Sequence, residues 1–231
     1  WPVLKLGVAE LAPLTFRALT LPFAGLGLLA IAKASGESVR IPRAMWPMVG
    51  LLALVNITGW NGLVLFGVRE IEAGRSAIIA YTMPVWAVLC GLLFFGEKPL
   101  PRHWLGVIAA LLGTLLLLSS EFTKLAGSPL GTILMLIAAA AWGYGTHLMR
   151  RHLTSMPTIA LTFWMLSLTL VATTTVSIAT ETDQWRMPLP LEWFSIVYNM
   201  AIAIAFCHVV WSMLARNLPP AASGLSVLMI P

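Results

Sequence analysis

The chain has 231 residues, 59% of them hydrophobic and 10% charged, with a mean hydropathy of +0.89, a composition that excludes a water-soluble globular domain. A net charge of +5 and a pI near 9.7 would suit nucleic acid in a soluble protein. Here the basic residues fall in short connections between apolar runs, where they orient a chain in a bilayer, so no nucleic-acid partner is expected.

Runs of about 20 apolar residues, the length that crosses a bilayer core, recur along the sequence and read as an all-α polytopic membrane protein. Trp1 to Glu10 looks like the tail of a helix whose beginning precedes the chain. The first complete span is expected over 11–32 and is followed by a basic loop with Lys33, Arg40 and Arg43. The second covers 44–67 and holds Asn56, Trp60 and Asn61. Arg69, Glu70 and Glu72 link it to the third, which is closed by Glu97, Lys98, Pro99 and Pro101.

The fourth span is expected over 103–118, with Gly106, Ala110 and Gly113 as small residues that permit close helix contact. The fifth covers 130–149, where Ala139 with Gly143 and Ala141 with Gly145 repeat the small-xxx-small spacing. The sixth covers 158–179 and the seventh 193–214, and the eighth begins near Ala221 and reaches Pro231. Cys90 and Cys207 lie within apolar runs and read as small hydrophobes rather than as a disulfide.

The third span, Gly74 to Glu97, organises the rest. Pro84 near its middle has no N–H, and its ring crowds the Ala80 carbonyl, so the helix is expected to kink or open there. Within a bilayer an unsatisfied carbonyl costs several kcal/mol, so such a break is tolerated only where protein or a watery cavity covers it. A cavity is therefore expected.

Lys and Arg in alternate loops give an orientation. Lys33, Arg40, Arg43, Lys98, Arg102, Arg150, Arg151 and Arg216 fall on one side with only Glu37 and Glu97 as acids. Arg69, Arg75, Lys124 and Arg186 fall on the other with six acids. The first side should be cytoplasmic.

Pro231 lies 147 positions after Pro84, and the same offset pairs Ser76 with Ser223, Arg69 with Arg216, Phe16 with Phe163 and Asn61 with His208. Matches at corresponding places in corresponding helices suggest a duplicated unit, divided here as 1–124 and 125–231. An odd number of crossings separates the two proline-bearing spans, so the copies should be inserted in opposite directions. Inverted repeats with paired interrupted helices place a substrate site near the membrane midplane.

The segment AGRSAIIAYTMPVWAVLCGLLFFGEKPLPRHWLGVIAALLGTLLLL, from Ala73 to Leu118, resembles the drug/metabolite transporter superfamily and its EamA-type repeat. The likeness lies in a small-residue helix start, a mid-helix proline, a Gly-Glu end and a following Gly-containing helix. Arg17 and Ala141-Trp142-Gly143 support it. The resemblance implies two inverted five-helix repeats, about ten helices in the full protein and eight to nine in this chain, with both termini cytoplasmic. It further implies a bacterial inner-membrane carrier that moves small metabolites outward, often amino acids. The Trp-rich interior would suit aromatic ones.

Candidate substrate contacts are Asn56, Trp60, Asn61, Tyr81, Thr82, Tyr144, Trp164, His208 and Trp211, with Pro84 and Pro231 as hinges. Asn56 and Asn61 could line a cavity or bond between helices. Tyr81 is one turn before Pro84, and Thr82 can cap a freed carbonyl. His208 could relay a proton or satisfy a neighbouring carbonyl. Tyr144, Trp164 and Trp211 could stack on a substrate or pack against lipid and neighbours.

Trp46, Trp104, Trp185 and Trp193 suit an interfacial belt. His147 is read as interfacial, Glu97 as fixing its helix against Arg102 or a neighbouring backbone, and Arg17 as snorkelling outward or pairing with Glu10. No phosphate-cradling loop occurs, so ATP is not expected to drive the chain. No metal or other cofactor is expected. The partners expected are the bilayer and a small-molecule substrate, and oligomeric state leaves no mark. Two rival readings are a membrane-embedded lipid-modifying enzyme, with His103, His147 and His152 as its candidates, and a structural subunit.

Overall fold

The computed structural model describes residues 1–98, 100–119, 128–152, 156–207 and 210. Ten α-helices account for most of them: α1 (Pro2–Val8), α2 (Pro13–Ala34), α3 (Trp46–Leu52), α4 (Trp60–Glu70), α5 (Ala73–Ala80), α6 (Met83–Phe95), α7 (Pro101–Ser119), α8 (Pro129–His152), α9 (Thr158–Thr180) and α10 (Pro190–Tyr198). No strand occurs among the described residues. A π-helical segment, Ala53–Gly59, joins α3 to α4 in one continuous span, and a second, Asn199–Phe206, extends α10.

Among the described residues, five spans are long and apolar enough to cross a membrane: α2, the run from Arg43 to Glu70, the α5–α6 pair, α8 and α9. Their bounds fall within a few residues of those expected from hydropathy. Large apolar side chains face outward, with Leu93 70% and Leu116 74% exposed. Water penalises such a surface, whereas acyl chains accommodate it.

Hydrogen bonds fix the directions of the helices. Thr15 at the start of α2 meets Ser177 near the end of α9, and the Trp164 indole N–H in α9 donates to the Val39 carbonyl just beyond α2. The two helices therefore run antiparallel. Helix α8 lies between two spans. Its Gly145 meets Asn56 and its Gly131 meets Glu70, so it is antiparallel to the α3–α4 span. Gly143 meets Ala87 and His147 meets Gly91, so it is parallel to α6.

One end of the bundle thus carries the α2 N-terminus, the ends of α4 and α9, and the start of α8. It is called the Glu181 end here, and the opposite one the His147 end. Each has its own apolar cluster. Val8, Leu11, Phe16, Val64, Leu65, Ile79, Met135 and Ala138 fill the Glu181 end, while Leu21, Leu28, Leu52, Ile57, Leu148, Ile159 and Leu166 fill the other. The clusters do not merge.

A regularity at offset 147 runs through this packing. Ala53–Gly59 shifted by 147 positions falls within Asn199–Phe206, and α2 shifted likewise falls on α9. The first π segment packs on α9 and the second packs on α2. Exchanging the members of each pair therefore reproduces the same set of contacts.

Candidate functional site

The expected break is present. Helix α5 ends at Ala80, Tyr81 and Thr82 form a turn, and α6 resumes at Met83 with Pro84 in its first turn. Proline at that position is favourable because its missing N–H falls among the helix-start donors that have no intrahelical acceptor. The turn is fastened by Thr82, whose Oγ1 donates to the Ile79 carbonyl at 2.7 Å while its backbone N–H donates to the same oxygen at 3.0 Å. The hydroxyl caps Ile79, one residue before the carbonyl the proline ring crowds.

A polar layer lies in the gap between the apolar clusters. On the α3–α4 span it falls between Ile57 of one cluster and Val64 of the other, and it contains Thr58 and Asn61, with Asn56 just before it. Asn56 is 2% exposed, and its Nδ2 makes a long 3.4 Å hydrogen bond to the Trp142 carbonyl of α8. Asn61 donates at 2.9 Å to the Ile57 carbonyl, inside the π segment where the ladder of backbone bonds is shifted. Thr58 and Thr169 share a hydroxyl contact at 2.9 Å, which ties the π segment to α9.

Trp60 and Trp142 complete the layer with ring centroids 5.2 Å apart. Such a pair contributes roughly 1 kcal/mol beyond the area it buries. Glycines make the approach of α8 possible. A Cβ on Gly143 would lie 2.8 Å from the Ala87 nitrogen, and one on Gly145 would lie 2.6 Å from the Asn56 Cβ. Those two glycines are about 200° apart around the helix axis, so each opens one side of α8 to a different span.

Other candidates lie elsewhere. Tyr144 is wedged between Phe94 and Phe95, at 5.5 and 5.3 Å, and Trp164 packs on Trp46 at 4.7 Å, both within the apolar cluster of the His147 end. The Trp164 indole is already satisfied by Val39 at 2.6 Å. His208, Trp211 and Pro231 lie outside the described residues.

Two charged residues correct their expected places. His147 is buried rather than interfacial, 4% exposed, with Nε2 2.7 Å from the Ala87 carbonyl and Nδ1 3.1 Å from Glu97 Oε1. The carbonyl can only accept, so Nε2 is the donor to it, and Nδ1 faces the carboxylate. Gly96, in the left-handed conformation at φ 66°, turns the chain after α6 so that Glu97 reaches that imidazole. Arg17 neither snorkels nor meets Glu10: it is 3% exposed, and Glu10 faces Arg186 instead, at 4.0 Å.

The reading of charges as orientation signals missed Glu181. Its carboxylate accepts from the Leu14 N–H at 3.1 Å, the Thr15 N–H at 2.7 Å and the Thr15 hydroxyl at 2.8 Å, capping the N-terminus of α2 from the end of α9. A carboxylate there also meets the positive end of the α2 dipole. Lys5 does the converse, its ammonium donating to the carbonyls of Val68, Arg69 and Ile71 at 2.7, 2.8 and 3.0 Å, where α4 ends.

Antiparallel apolar spans around a broken helix and a mid-bundle polar layer define a polytopic helical membrane protein of the transporter class. The chain belongs to the EamA-like transporter family, whose pattern matches residues 1–119 and 129–231. It is 21% identical to the uncharacterized transporter YoaV of Bacillus subtilis (strain 168), over all of this chain and 80% of that one. It is 28% identical to the uncharacterized transporter YvbV of the same organism, over 74% of this chain and 54% of that one. A WAT1-related chloroplastic protein of Arabidopsis thaliana, At3g02690, is also 28% identical, over 65% of this chain and 38% of that one. A solved crystal structure superposes over 98% of this chain and 77% of its own with a TM-score of 0.76 at 21% identity, a likeness of fold.

Proposed function

We propose that this chain is a secondary carrier that exports small metabolites, amino acids foremost and aromatic ones among them, across the bacterial inner membrane by alternating access. In this reading the His147 end is cytoplasmic, and two units, 1–124 and 125–231, are inserted in opposite directions. The observation that carries it is the polar layer around Asn61, Trp60 and Trp142, with Asn56 at its edge, set between two separate apolar clusters in a bundle that also holds the Tyr81–Thr82 break. The antiparallel course of α2 and α9 and the exchange of π-segment contacts at offset 147 support the inverted pair. A bundle with a divided core can part at one end while the other stays closed, which alternating access requires.

The test is uptake of labelled amino acids by liposomes carrying the purified protein, aromatic ones first. Protein-dependent accumulation is expected, with Asn61→Ala and Tyr81→Ala each lowering the rate or changing the preferred substrate at unchanged expression. Failure of the whole panel to move, together with turnover of a lipid substrate, would replace the carrier with a membrane-embedded enzyme.

A further inference from the structure

On α2 the gap between the apolar clusters falls between Phe16 and Leu21, and the buried polar residues there are Arg17 and Thr20. Thr20 turns its hydroxyl back onto the Arg17 carbonyl at 3.0 Å. Among the described residues the Arg17 Nε is buried without a hydrogen-bond partner, and no carboxylate pairs with its guanidinium.

Four acids at that end of the bundle are engaged by other groups, and Glu70 and Asp183 are exposed while Arg17 is buried. Glu10 faces Arg186, Glu72 holds Arg75 at 2.7 Å, Glu181 caps α2, and Glu192 is clasped by Arg186. Guanidinium stays charged at any pH a cell meets. Burying it unpaired is among the costliest arrangements open to a membrane protein, and such residues mark functional sites.

The packing itself does not require this charge. Offset by 147 positions from Arg17 stands Trp164, at the equivalent place in the second half of the bundle, where a neutral ring suffices and its N–H meets Val39. A cation kept in one half only, in the same gap as Asn61 and Trp142, is a binding group awaiting its counter-charge.

We propose that Arg17 is the carboxylate-binding residue of the carrier, its planar fork receiving the carboxylate of the transported molecule within the polar layer. The substrate class is thus an organic acid or amino acid with a free carboxylate, and esters, amides and amines of the same skeleton are rejected. This inference rests on the carrier reading.

The experiment measures thermal unfolding of the full-length chain in detergent with L-phenylalanine against L-phenylalaninamide, and with benzoate against benzamide, at matched ionic strength. The carboxylates raise the midpoint and the amides do not. Arg17→Gln raises the ligand-free midpoint, because it removes an unpaired buried charge, and abolishes the carboxylate effect. Arg17→Lys keeps the charge without the fork and weakens the apparent affinity at least tenfold.

The proposal fails if wild-type protein shows no difference between acid and amide, or if Arg17→Gln leaves the carboxylate effect intact. Liposome uptake separates this failure from that of the carrier reading. Transport of phenylalanine and its amide at equal rates would sink the role of Arg17 and leave the carrier. Carboxylate-specific stabilisation without transport would keep the site and sink the carrier.

Discussion

The two ends of the bundle are fastened by different chemistry. At the Glu181 end, ionised groups close helix termini: Glu181 caps α2, Lys5 closes α4, and Arg186 holds Glu192, whose carboxylate also accepts the Leu189 N–H at 2.7 Å at the start of α10. At the His147 end the fastening is mainly aromatic. Trp46 lies on Trp164, Phe95 stacks on His147 at 5.1 Å, Arg151 sits 6.0 Å above the Phe95 ring, and one His–Glu contact ties α6 to α8. Directional charged contacts are lost within a small displacement, whereas stacked rings can slide and remain in contact. For the proposed carrier, the contrast predicts an abrupt opening at the Glu181 end and a graded one at the other.

The sharpest way to break the comparison is to lock one end. The side-chain oxygens of Thr15 and Ser177 are 2.9 Å apart, so cysteines at both positions lie within disulfide reach. In liposomes the oxidised double variant Thr15→Cys/Ser177→Cys should fall to the protein-free uptake rate and recover on reduction. Uptake undiminished by a verified cross-link would mean that the Glu181 end never opens during the cycle.

A second test removes the cap without locking it. Glu181→Ala strands two backbone N–H groups and a hydroxyl at a buried site, at about 1–3 kcal/mol for each group that finds no water, so a total near ~3 kcal/mol is expected from denaturant unfolding. At the other end His147→Ala should cost about 2 kcal/mol, because it removes a buried ring together with its contacts to Ala87 and Glu97. Glu97→Gln should cost less than about 1 kcal/mol, since that side chain is 51% exposed. Equal losses at the two ends would erase the distinction drawn between them.

The spans, their alternation and the Pro84 break are legible in the sequence because each leaves a local mark: an apolar run, a charged link, a ring without an N–H. Even so, a proline alone is ambiguous. Pro22 sits inside α2, which runs unbroken from Pro13 to Ala34, whereas the break before Pro84 has Thr82 to fasten its turn. The small-xxx-small spacing at Ala139–Gly143 and Ala141–Gly145 likewise announces the close approaches of α8.

Other features leave no such mark. A π segment differs from an α-helix by one shifted bond, and Ala53–Gly59 has no composition of its own. Glu181 and Thr15 are 166 positions apart, so the cap arises only when α2 and α9 lie antiparallel. Read by position, the acid is just another loop charge, and Arg17 is just another residue near a helix start.

The smallest expected effect sharpens the comparison by titration at the Glu181 end, outside the spanning segments. Hydrogen bonding from Arg186 holds the Glu192 carboxyl below its ordinary range, with burial opposing and the Leu189 N–H assisting. A carboxyl depressed in the folded state stabilises the protein above its unfolded value, and that contribution is lost as pH falls through the folded one. The thermal midpoint of wild-type protein should therefore drop as the pH is lowered below the usual glutamate range, and Glu192→Gln should flatten that part of the profile. Because Arg186 stands in solvent, salt screens the pair, and the difference between the two profiles should shrink in 1 M salt. A difference insensitive to salt would place the titrating group deeper in the bundle, and Glu192 would then no longer account for the pH response of that end.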